Sequence, residues 1–289
     1  MTAEVDQQRP AERRGRPGAV ERSLRAVLED GGKCLVPYVT AGVTASWLDL
    51  LAATQDAGAD AIEIGLPFSD PMLDGPIIQS AASQALARGA TVRGLLDELA
   101  GFEAAVPLIA MTYSNIVRRH GYDTFSERLR GAGVSGLIVA DTPVDEVGPL
   151  LDAATAADLE LVMLVAPSTQ PVRIRRIAAL SRGFIYVVSS MGVTGVRNTV
   201  SDSVAGTIQA VRAATDLPAL VGFGISTPEH AAAVSAVADG VVVASVLMRS
   251  VLEGADVDAL HEQVSALRAA VDSAGWRTSG SARQAGSPA

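Results

Sequence analysis

Three carboxylates fall within one short run, Ala61-Ile62-Glu63-Ile64-Gly65-Leu66-Pro67-Phe68-Ser69-Asp70-Pro71-Met72-Leu73-Asp74-Gly75-Pro76. The run starts as an apolar strand with Glu63 inside it and becomes a Pro- and Gly-punctuated loop carrying Asp70 and Asp74. A carboxylate on a buried strand is costly unless it has partners or a task. An acid at a strand end, facing a loop that can close over it, suits proton transfer in a water-poor pocket. The other reading is a strand-end acid that caps a neighbouring backbone.

Other chemistries find less in the chain. His120, His230 and His261 lack ligand spacing and Cys34 is the only cysteine, so neither a metal site nor an internal disulfide is expected. No serine sits in a G-x-S-x-G turn. Lys33, the only lysine, precedes the first strand, which disfavours a Schiff-base aldolase.

Positioning such acids requires strands, and the chain alternates regularly. Short β-rich runs at 35–39, 60–64, 107–111, 136–140, 160–165, 184–188, 219–222 and 240–243 alternate with Ala/Leu-rich stretches of helical spacing. Eight strands alternating with helices predict a single (β/α)8 TIM barrel. An open doubly wound sheet is the alternative, but no G-x-G-x-x-G follows the first strand. Two helical patterns after Pro76, split by Gly89-Ala90-Thr91, predict an extra helix after strand two, and the last helix is expected to break near Gly254. The expected organisation is a disordered tail over 1–22, one barrel domain over 23–276 and a disordered tail over 277–289, because the ends hold little to bury.

In such a barrel the chemistry lies on the loops after the strands. That places Tyr113, Asn115 and Asp141 near the mouth, with Tyr113 as a pocket wall, and Asn115 and Asp141 as structural loop residues. The long segment after strand six, with Gly192-Val193-Thr194-Gly195, reads as a lid that brings Thr194 towards an acid on the facing loop. Gly222-Phe223-Gly224-Ile225-Ser226 after strand seven and Val243-Ala244-Ser245 after strand eight have the form of a phosphate site built from backbone N–H groups.

Of the 289 residues 48% are hydrophobic and 4% aromatic, so Ala, Val, Leu and Ile must build the core. A net charge of -9 without a basic stretch in the ordered part argues against nucleic-acid or anionic-membrane surfaces, and the Arg13–Arg16 cluster reads as a solvated tail. No apolar run approaches the roughly 20 residues of a membrane span and no signal-peptide segment opens the chain, so a soluble cytoplasmic protein is expected.

From about residue 35 to 252 the chain resembles the tryptophan synthase alpha subunit. The resemblance rests on Val36-Pro37-Tyr38-Val39-Thr40-Ala41-Gly42, the Glu63 to Pro71 run, Asp74-Gly75-Pro76, Gly192-Val193-Thr194-Gly195 and Gly222-Phe223-Gly224-Ile225-Ser226. It implies a lyase that splits indole-3-glycerol phosphate into indole and glyceraldehyde 3-phosphate in tryptophan biosynthesis. Glu63 would be the general acid/base and Asp74 the carboxylate at the indole nitrogen. Tyr38, Tyr113 and Phe223 would line the indole pocket, with Tyr186 near the glutamate. Gly195, Gly224, Ala244 and Ser245 would hold the phosphate. The resemblance further implies no cofactor in this chain, and a pyridoxal-phosphate beta subunit as partner in an alpha-beta-beta-alpha complex, touched through Asp70 and Pro71. The chain departs from the family pattern at Leu73, Val43-Thr44 and Ala244. A stand-alone lyase releasing free indole and a non-catalytic barrel partner are the alternatives.

Overall fold

Every residue of β1 (Cys34–Thr40) is buried, as an apolar strand covered on both faces requires. The computed structural model describes residues 16–188, 202–222 and 224–275. The later strands are β2 (Ile62–Gly65), β3 (Leu108–Thr112), β4 (Val134–Val139), β5 (Glu160–Leu161), β6 (Met163–Val165), β7 (Ile185–Val188), β8 (Ala219–Gly222) and β9 (Gly240–Val243). All their pairings are parallel, in the order β5-β4-β3-β2-β1-β9-β8-β7-β6.

The two ends of that order are one strand. β5 and β6 are separated by Val162 alone; β5 pairs with β4 and β6 pairs with β7. Counted once, residues 160–165 make the sheet eight-stranded and closed, which is the (β/α)8 barrel expected and excludes the open-sheet alternative.

The described helices are α1 (Ala19–Glu29), α2 (Trp47–Asp56), α3 (Pro76–Ala87), α4 (Val92–Leu99), α5 (Ser114–His120), α6 (Tyr122–Gly131), α7 (Gly148–Ala156), α8 (Pro171–Leu180), α9 (Asp202–Arg212), α10 (Pro228–Ser235), α11 (Ser245–Leu252) and α12 (Val257–Gly275). The extra helix after strand two is present as the pair α3 and α4, with Thr91 capping α4 by accepting the Gly94 N–H at 3.1 Å. The last helical stretch breaks around Gly254 (φ +97°) into α11 and α12.

Two expectations change. The tail boundary at residue 22 falls inside a helix: α1 begins at Ala19, and Val20 and Leu24 are fully buried. Its first turn is held by Glu160, whose carboxylate accepts the Val20 N–H at 2.6 Å and the Glu21 N–H at 3.1 Å across 140 and 139 residues. No pattern local to residues 19–22 encodes that partner. The segment after β3 is also not a plain loop, because α5 starts at Ser114. The remainder of both expected tails, residues 1–15 and 276–289, lies outside the described residues.

Candidate active site

Register brings the first two site residues together. Tyr38 of β1 pairs with Glu63 of β2, so neighbouring strands present them side by side. Tyr38 reaches over the next inward position on β2, where a Cβ on Gly65 would collide with its hydroxyl. Across the barrel the relation repeats: Tyr186 pairs with Leu220, and a Cβ on Gly222, two residues on, would collide with the Tyr186 hydroxyl. Both glycines make room for a phenol ring beside the acid.

Glu63 is 1% exposed, and among the described residues its Oε2 has no hydrogen-bond partner. Burial, and then the charge of Asp74, push its carboxyl up to about 8. Asp74 reaches the same cavity from the loop after β2. Burial raises its carboxyl too, against a hydrogen bond from Tyr113 that favours the ionised form. The Tyr113 hydroxyl also accepts the Leu73 N–H at 3.2 Å, and its ring stacks on Phe68 with centroids 5.2 Å apart. Burial holds Tyr38, Tyr113 and Tyr186 neutral by raising all three phenols.

The cavity between these groups measures about 390 Å³. Its lining includes the acids Glu63 and Asp74, the side chains of Tyr38, Met111, Tyr186 and Val242, and Gly224, Ala244 and Ser245. Gly224 has φ +80°, a conformation that favours glycine. Ala244 precedes α11 with a negative φ of -121°, so the position does not require glycine, and no side chain caps that helix start, which leaves its first amides available to an anion. A larger cavity of about 530 Å³ lies beside α7 and α8, but its one charged lining residue, Arg173, is paired to Asp145 at 2.8 Å. The smaller cavity is therefore the one equipped for proton chemistry.

Other expected residues sort clearly. Asp141 accepts both the Ser114 N–H (2.6 Å) and the Ser114 Oγ–H (2.8 Å), so it holds the start of α5, the structural role expected of it. Asn115 is exposed on that helix, not pinning a loop. Asp70 is exposed and Pro71 half-buried on the loop outside the cavity. Thr194, Gly195 and Phe223 lie outside the described residues. Sequence reasoning missed Arg249, the one cation lining the cavity among the described residues. Its signal was the spacing: four residues after Ser245 is one turn along α11, on the same face.

A family model described as tryptophan synthase alpha chain matches residues 24–274. The chain belongs to the tryptophan synthase alpha chain family. The tryptophan synthase alpha chain of Phenylobacterium zucineum (strain HLK1) is 43% identical over 252 residues, covering 86% of this chain and 90% of that one. That of Burkholderia lata is 39% identical over 265 residues, 89% of this chain and 97% of that one. Among solved structures, a Mycobacterium tuberculosis tryptophan synthase chain superposes with TM-score 0.82 at 34% identity, covering 89% and 99% of the two chains. The tryptophan synthase alpha subunit of Legionella pneumophila str. Paris gives 0.82 at 31% identity over 89% and 100%. The tryptophan synthase alpha family comprises lyases of tryptophan biosynthesis that cleave indole-3-glycerol phosphate and work with a beta subunit. Among the described residues no helix is long and apolar enough to cross a membrane.

Proposed function

We propose that this chain cleaves indole-3-glycerol phosphate to indole and glyceraldehyde 3-phosphate as the alpha subunit of tryptophan synthase, with Glu63 as proton carrier. The observation that carries this reading is the buried, unpartnered Oε2 of Glu63 in a cavity it shares with Asp74. A carboxyl pushed up to about 8 is protonated at neutral pH, so Glu63 begins as an acid. It delivers its proton to indole C3, and the cation that forms is stabilised at the indole N–H by the Asp74 carboxylate. As the bond from C3 to the glycerol chain breaks, the Glu63 carboxylate takes the proton of the adjacent side-chain hydroxyl, which becomes the aldehyde. Glu63 ends protonated, as it began.

The remaining roles follow the same orientation. Tyr38, Tyr113 and Tyr186 enclose the indole ring and Gly224, Ala244 and Ser245 hold the phosphate; the family resemblance assigns Phe223 to the indole, Gly195 to the phosphate and Thr194 to substrate binding. No cofactor is needed in this chain, pyridoxal phosphate belonging to the beta subunit. The contact surface for that subunit includes Asp70 and Pro71, and it is supported by the apolar side chains beside them, Met72 at 79% and Leu73 at 46% exposure. The working state is the alpha-beta-beta-alpha complex in the cytoplasm, with one barrel domain that starts at α1.

Indole release from indole-3-glycerol phosphate, measured with and without an added beta subunit, tests the reading. Turnover that rises on adding beta and vanishes in Glu63→Gln supports it. Full turnover without beta replaces it by the stand-alone lyase, and turnover untouched in Glu63→Gln removes Glu63 from the chemistry.

A further inference from the structure

At the opposite end of the barrel from Glu63, where the strands begin, a cavity of about 220 Å³ is lined by Arg16, Arg22, Arg130 and Arg182, with Asp158 as the one acid among them. Among the described residues, four guanidiniums less one lining carboxylate leave three positive charges in one pocket of a chain whose net charge is -9. Like charges gathered in this way repel, and the Glu160 carboxylate, which interacts with Arg182, offsets part of that repulsion.

Two of the arginines are positioned by neutral groups. Arg22 Nη1 donates to the Pro17 carbonyl at 2.7 Å, and Arg182 Nη2 donates to the Arg16 carbonyl at 3.1 Å. A carbonyl fixes the direction of a guanidinium while leaving its charge and its other N–H donors available. Arg130 has only a loose, exposed ion pair with Asp158 at 3.7 Å. The nearby buried acid, Glu160, is already engaged by two backbone amides of α1. The pocket therefore holds directed donors and, among the described residues, a net positive charge around a space smaller than the roughly 300–1,000 Å³ typical of whole small-molecule sites.

We propose that this pocket binds a phosphate group of pyrophosphate type, either as the free anion or as the terminal phosphates of a larger molecule whose remainder stays in solvent. Guanidinium forks suit tetrahedral oxyanions because each offers paired N–H donors. The bound anion would bridge α1, the end of α6 and the turn before β7, which come from three distant parts of the chain.

Calorimetric titration of the full chain with sodium pyrophosphate tests this, with saturating glycerol 3-phosphate present to fill the catalytic cavity. One saturable site is expected, weakened by added salt and by about tenfold or more in Arg130→Gln or Arg182→Gln, while indole release persists. Arg182→Lys, which keeps the charge and loses the fork, should fall between and guards against a folding artefact. ATP binding as tightly as pyrophosphate would assign the terminal phosphates of a larger molecule; ATP binding far more weakly would assign the free anion. No saturable binding at millimolar pyrophosphate, or equal binding by the Arg130→Gln/Arg182→Gln double variant, would overturn the proposal.

Discussion

The Tyr38 hydroxyl occupies the space that a Cβ at position 65 would need. Gly65 has no side chain because the phenol beside Glu63 fills its place, and the small residue is thus part of the site although it offers no reacting group. Gly65→Ala is expected to destabilise the chain by about 1–3 kcal/mol through overpacking. It should also lower turnover by displacing Tyr38 towards Glu63. Urea denaturation read beside indole release checks both effects, and an unchanged pair of values would show that Tyr38 moves aside freely.

Glu63 carries an intrinsic cost in stability. Its folded carboxyl sits at about 8 against an ordinary value of 4.5, so the folded chain retains a proton that the unfolded chain releases. Folding stability should therefore fall as pH rises from about 4.5 to about 8 and level off above, with a slope of up to about 1.4 kcal/mol per pH unit. Glu63→Gln stays neutral throughout. Its stability relative to wild type should grow across that window while turnover is lost, as denaturation midpoints at both ends of the window would reveal.

Tyr113 joins the loop acid to β3. Its hydrogen bond favours the ionised form of Asp74, so Tyr113→Phe should raise the Asp74 carboxyl further. If ionised Asp74 stabilises the indole cation, the acid limb of the pH profile of kcat/KM moves to higher pH, and turnover at neutral pH drops about tenfold for the loss of a hydrogen bond to a charged group. An acid limb that stays in place would remove Asp74 from that role.

Arg249 lines the same cavity as Glu63, Asp74 and Ser245, and under the proposed function its charge would hold the substrate phosphate. With Arg249→Gln, KM for indole-3-glycerol phosphate should rise about tenfold with little change in kcat, the pattern of lost substrate binding. The inhibition constant of glycerol 3-phosphate should rise in parallel. A fall in kcat at constant KM would place Arg249 at the reacting end instead.

Glu160 gives the contrasting case. Removing its carboxylate in Glu160→Ala orphans the Val20 and Glu21 amides at the start of α1, at about 1–3 kcal/mol for each that finds no water. Thermal unfolding should show the loss, whereas indole release by the folded protein at low temperature should remain near wild type.

The two glutamates separate what the amino-acid sequence determines from what only the tertiary structure decides. Strand and helix periods are local, so the alternation that builds the barrel, the split helix after β2 and the placing of Glu63, Asp74, Tyr113 and Ser245 at the mouth were legible in the chain itself. Glu63 and Glu160 look alike there, each a carboxylate inside a short apolar run. Their roles diverge through contacts with no local pattern. Amides some 140 residues away satisfy Glu160, and nothing among the described residues satisfies Oε2 of Glu63. The same reason hid the start of α1 inside an apparently featureless tail and concealed the collisions that require Gly65 and Gly222. Hydrogen-bond partners and packing neighbours belong to pairs of distant residues, and closure of the barrel is what brings those pairs together.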